Sequence, residues 1–156
     1  GFFTAACVFI GSLVRPIGGA VADRVGGVRS LSVMYVIAAA ALVALSFGMP
    51  SVWGALIVLL VGMGALGMGN GAVFQLVPQR FRSEIGIMTG LVGAFGGIGG
   101  FYLAASLGLS KQITGSYQIG LVGFALLALM ALCGLTLVKK TWRTTWHVYG
   151  AADAKI

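Results

Sequence analysis

Arg15 stands inside an apolar, glycine-rich run, GSLVRPIGGAV over residues 11–21, and the next charges, Asp23 and Arg24, follow eight residues later in a glycine-flanked stretch. An ionisable side chain within a hydrophobic segment marks a functional site by default, because placing it in lipid costs roughly 2.5–3.5 kcal/mol even on lenient insertion scales. The chemistry open to it is anion binding. A guanidinium is planar and presents a fork of N–H donors that can meet two oxygens at once, whereas a lysine offers a point charge. In a low-dielectric cavity, guanidinium and anion compensate one another's desolvation. The alternative is that Arg15 snorkels: it lies about 12 Å of helix rise from Asp23, and a long side chain covers part of that distance.

Two other sets of residues belong with it. Asn70 sits between Gly69 and Gly71 in an apolar run. A buried amide needs partners, so Asn70 either donates to an anion or ties two helices together, and Gln75 is similar but nearer the end of its run. Residues 86–100 are dense in glycine, with spacings of four at Gly86/Gly90, Gly93/Gly97 and Gly96/Gly100. On a helix this spacing makes flat faces that let neighbours approach closely. Packing alone accounts for such a face. A functional version adds room for a small anion, approach of backbone groups to it, and freedom for the helix to slide or bend. Phe74, Phe95 and Phe101 are the aromatic residues placed to wall a cavity there.

The elements that must carry these residues are membrane spans. Hydrophobic residues make up 59% of the 156-residue chain and charged residues 8%, with a mean hydropathy of +1.04. A soluble domain carries about 25% charge. Five apolar runs are legible, over about 1–21, 31–47, 52–77, 85–109 and 117–138. Each is long enough, or nearly so, for a helix across roughly 30 Å of hydrocarbon. A β-barrel would show short alternating strands instead. The chain is therefore read as an all-α integral membrane bundle over 1–146 with a short polar tail over 147–156.

Charge placement orients the spans. Arg24, Arg29, Arg80, Arg82, Lys139, Lys140, Arg143 and Lys155 follow spans one, three and five, against Lys111 alone on the other side. The positive-inside rule places the Asp23 loop and the C-terminus in the cytoplasm, while Trp53, Tyr117 and Trp142 sit near span ends as an aromatic belt requires. The net charge of +7 lies mostly in short segments between apolar runs, which argues against nucleic acid as a partner. Cys7 and Cys133 fall within apolar runs and read as small buried residues, with no metal-ligand spacing and no disulfide framework. His147 reads as a solvated tail residue. No metal or cofactor is expected. The chain opens inside an apolar stretch without Met or a charged leader, so the expectation is that an upstream part is missing.

The stretch G-A-V-A-D-R-V-G-G-V-R over 19–29 resembles the loop signature of the major facilitator superfamily, G-x-x-x-D-R-x-G followed by basic residues, through Gly19, Asp23, Arg24, Gly26 and Arg29. With it, GAFGGIGG over 93–100, GNGAVFQLVP over 69–78 and the Arg15-Pro16 stretch resemble the nitrate/nitrite porter family. Gly93, Gly96, Gly97, Gly99 and Gly100 match that family's G-x-x-G-G-x-G-G run. The resemblance implies five helices, eight to twelve, of a twelve-helix transporter working by alternating access. It further implies an anion site holding nitrate or nitrite at Arg15, Asn70 and the helix-eleven glycines, a gating loop at Asp23, and a second arginine on an N-terminal half that this stretch lacks. Asp23 is then expected at a helix N-terminus, with its partner helix in that half; a plain loop cap is the alternative.

Three rival readings exist. Gly62-Met63-Gly64-Ala65-Leu66-Gly67 satisfies G-x-G-x-x-G, with Glu84 downstream as a dinucleotide-binding turn would have it, but the apolar run continues through it and Glu84 sits in R-F-R-S-E. No nucleophile–base set accompanies it. A purely structural membrane subunit leaves Arg15 unexplained. A porter for another small anion remains open.

Overall fold

The computed structural model describes residues 1–145, with side chains through Lys139. Lys140, Trp142 and Arg143 as side chains, and the tail with His147 and Lys155, lie outside the described residues. Among the described residues six helices follow in order: α1 (Phe2–Leu13), α2 (Arg15–Val25), α3 (Gly27–Ser46), α4 (Val52–Arg80), α5 (Ile85–Thr114) and α6 (Gln118–Thr145). Together α1 and α2 make one span, Phe2–Val25, so among the described residues five stretches are long and apolar enough to cross a membrane. Among the described residues there is no strand.

The breaks have identifiable causes. Pro16 is the second residue of α2; lacking an N–H, it drops one rung of the helical ladder and crowds the preceding turn. The interruption falls at Val14, whose ψ is −6°, and Arg15 is the first residue beyond it. Residues 22–30, expected to be loop, are helical except for Gly26. That residue has φ 105° and ψ 132°, a conformation that needs glycine, and one residue is enough to turn the chain from α2 into α3. At its far end α4 continues past 77 through Pro78 to Arg80, because a proline in the last turn forfeits only a single hydrogen bond. Likewise α5 runs beyond 109 to Thr114, where Gly115 closes it in the left-handed conformation at φ 71°, the common glycine C-cap.

In this bundle α4 is the central helix, packed on α1, α2 and α3; α6 packs on α3, and among the described residues α5 touches only α4 and α6. The buried core is built of small residues, with Ala22, Ala72, Ala38 and Ala125 essentially inaccessible. Small side chains at helix interfaces let backbones come close, the usual basis of association in lipid, where apolar surface alone gives no drive.

Close approach is concentrated on α4. A Cβ on Gly67 would collide with the Gly11 carbonyl, one on Gly71 with the Arg15 carbonyl, and one on Gly18 with the Met68 backbone. The α5 glycines behave oppositely. Gly86, Gly90, Gly93, Gly96, Gly97, Gly99 and Gly100 have nothing within 4 Å of a built Cβ, and α5 has no buried residue. The close-approach face expected on the fourth span is therefore found on the third, while the α5 face is open. Cys7 is buried, but Cys133 is exposed on α6. Gly62 to Gly67 lies in mid-helix, which rules out a strand-to-helix nucleotide turn there.

Candidate functional site

Arg15 lies where three hollows meet. The first, about 510 Å³, is bounded by Arg15 from α2, Tyr35 from α3, Asn70 and Phe74 from α4, and Gly93, Gly96 and Gly97 from α5. The second, about 190 Å³, lies toward α1 and shares Arg15 and Asn70 with Ser12 and Gly67. The third is an open groove of about 670 Å³ running from Arg15 past Gly19 to Asp23, Gln75 and Gln79.

The local sequence explains why these residues converge. The break at Val14 puts Arg15 at the first position of α2. Gly71, one residue after Asn70, removes the side chain that would hold α2 away from α4 at Arg15. Asn70 is thereby brought to the same level as Arg15. The α3 residues Leu31, Met34 and Tyr35, spaced three and four apart on one helix face, close another wall, and the bare α5 face supplies the last. Arg15 itself is exposed on this chain, and no ion pair or hydrogen bond engages its side chain among the described residues.

Five of the residues singled out by sequence do not join this cavity in the way expected. Gly99 and Gly100 are not on its wall, so the glycine signature contributes its first three members only. Phe95 and Phe101 are exposed elsewhere and wall nothing here; Phe74 does. Asp23 sits in the last turn of α2 rather than at a helix N-terminus. A carboxylate there faces the negative end of the helix dipole, so the helix end cannot be what favours it. Within this chain Asp23 has one partner among the described residues: Gln75 donates its Nε2 to Asp23 Oδ1 over 2.7 Å. Turning the amide over would set two acceptors together, which fixes the orientation. The Oε1 of Gln75, and that of Gln79 one turn on, are buried without a donor among the described residues. Gly19 borders the groove, while Arg24 and Arg29 are exposed near the α2–α3 turn and border neither the cavity nor the groove.

Tyr35, Gly18, Gly67 and Gly71 were missed by reading the sequence. The four-residue spacing of Gly67 and Gly71 was a visible signal, the same one read on α5. Nothing in the sequence of α3 marks Tyr35, since its place depends on how α3 turns against α4.

Chemically, the cavity offers a cation, an amide and a phenol as polar side chains, set among apolar groups and bare backbone. That donor-rich lining suits a small oxyanion. Among the described residues no group of three or more His, Cys, Asp or Glu could hold a metal ion.

Comparison with known proteins bears on what the site serves. Residues 1–104 match the family model of the Major Facilitator Superfamily. The chain is 39% identical over 144 residues to the nitrite extrusion protein of Bacillus subtilis, covering 88% of this chain and 34% of that protein. It is 31% identical over 148 residues to the probable nitrate transporter NarT of Staphylococcus carnosus, covering 95% and 34%. A similar protein from Staphylococcus epidermidis, also a probable nitrate transporter NarT, is 31% identical over 140 residues, covering 90% and 35%. No solved structure matches. The chain thus spans about a third of the length of the curated relatives it matches. The family model, the helical architecture and the Gly19–Arg29 motif agree: this chain belongs to the Major Facilitator Superfamily, a family of membrane transporters, and its relatives there are named for nitrite and nitrate.

Proposed function

We propose that this chain is the C-terminal bundle, helices eight to twelve, of a porter that carries nitrate or nitrite across the cell's inner membrane by alternating access. The observation that carries this reading is the convergence of Arg15, Asn70 and Gly93, Gly96 and Gly97 on one cavity. The names of the relatives supply the anion. Arg15 binds the anion through its guanidinium fork. Asn70 donates a further hydrogen bond, and the bare α5 face leaves room for the ion and for movement of the helix. The N-terminal half of the complete porter covers the open α5 and Arg15 side and brings a second arginine. Asp23, held by Gln75, acts at the cytoplasmic gate, and the C-terminus is cytoplasmic by the positive-inside bias.

Within the described spans no carboxylate accompanies Arg15 at the cavity. Anion exchange needs none there, and proton symport would draw its relay from the other half. The test is uptake by the complete porter in proteoliposomes. Labelled nitrate should accumulate and be displaced by nitrite but not by chloride. Transport of a different anion, with no nitrate uptake, would move the assignment to another small-anion porter.

A further inference from the structure

Three polar side chains border the 510 Å³ cavity: Arg15, Asn70 and Tyr35. They come from three helices, α2, α4 and α3. None of the three side chains makes a hydrogen bond or ion pair among the described residues, and the rest of the cavity lining is apolar side chains and glycine. Of the three, Tyr35 alone lies outside the stretches that carry the family resemblance. Its ring packs against the core cluster of Ala22, Leu31 and Ala72, so the side chain is anchored at its apolar body. A tyrosine held in this way ordinarily gives its hydroxyl a partner at the polar end. Tyr35 also borders the cavity that Arg15 and Asn70 share.

We infer that Tyr35 is a specificity-determining residue of the anion site: its hydroxyl donates to the third oxygen of a trigonal oxyanion whose other two oxygens lie in the Arg15 fork. This inference rests on the anion-binding reading given above and deepens it. A guanidinium meets two oxygens side by side, which is the full complement of a bent, two-oxygen anion such as nitrite. A trigonal anion has one oxygen left over, pointing away from the guanidinium. A fixed donor on a different helix from Arg15 is what that oxygen requires. Because the ring is set by the core, the hydroxyl is positioned before the anion arrives, and little side-chain freedom is lost on binding. Tyr35 therefore favours the three-oxygen anion over the two-oxygen one, while Arg15 serves both.

Tyr35→Phe tests this, because it deletes only the hydroxyl and keeps the ring against Ala22, Leu31 and Ala72. Nitrate and nitrite affinities are measured on the purified complete porter, wild type and variant, with thermal unfolding followed in parallel. Loss of one hydrogen bond to an anion should weaken nitrate roughly tenfold, leave nitrite within about threefold, and leave the melting temperature unchanged. Unchanged nitrate affinity would overturn the donor role. Equal losses for both anions would overturn the third-oxygen assignment. A wild-type porter that binds neither anion would overturn the anion-site reading itself, a different failure from that of Tyr35.

Discussion

Gly71 lies directly beneath the backbone carbonyl of Arg15, so close that any Cβ at position 71 would occupy the carbonyl's place. The depth at which Arg15 sits against α4 is thus set by a residue with no side chain, next to Asn70 in the sequence. Gly18 over Met68 and Gly67 over Gly11 repeat the arrangement. Together they form a seam on which both halves of the broken first span lie against α4.

Glycines of the seam and glycines of the cavity wall should respond differently to substitution. Gly71→Ala must push α2 off α4. A loss of roughly 1–3 kcal/mol, typical of overpacking, should appear as a lower melting temperature together with weaker anion binding. A Cβ at Gly97 meets nothing within 4 Å, so in Gly97→Leu the bundle should persist while the side chain fills space beside Arg15 and transport is abolished. Stability and uptake measured on both variants check this. A Gly97→Leu porter working at the wild-type rate would remove Gly97 from the mechanism.

Much of this fold was legible in the sequence, because lipid imposes long apolar runs and the charge bias marks their ends. Helix limits were less so. The turn at Gly26 needs one glycine at positive φ where a nine-residue loop is expected, and α4 runs through Pro78 to Arg80 instead of stopping before the proline. At the site, Arg15 and Asn70 stood out because polar groups in apolar runs are costly. The glycines misled by their abundance: spacing identifies a flat face but not whether a neighbour lies against it, and α4 and α5 carry the same spacing with opposite outcomes. Tyr35 and the Gln75–Asp23 bond depend on helix rotation, which no local pattern encodes.

Asp23 and Gln75 should act as a pair at one end of the groove. Asp23→Asn keeps an oxygen for Gln75 to donate to and removes only the charge. It should shift the porter toward its inward-open state and slow uptake, with anion affinity retained. Accessibility labelling and binding assays on the variant separate these effects. A variant that loses anion binding while keeping its conformational balance would show that Asp23 is not a gate residue.

Sidedness follows from the helix ends. With Cys7 and Cys133 replaced by alanine, single cysteines at Ser51 and Gln112, both exposed between or beyond apolar stretches, should react with an impermeant thiol reagent applied outside intact cells. One at Ser83, in the turn between α4 and α5, should not. The reverse pattern would invert the topology.

The most direct test concerns Arg15. Arg15→Lys keeps the positive charge and removes the fork. Breaking a desolvated, hydrogen-bonded charge pair costs about 2–5 kcal/mol, which is roughly thirty-fold or more in affinity. A residue that merely snorkelled toward the interface would tolerate lysine, which snorkels equally well. Nitrate binding and uptake by the reconstituted complete porter carrying Arg15→Lys should fall by at least that factor while the protein stays folded. Near-normal affinity and rate would contradict the account and leave Arg15 as a membrane-interface anchor.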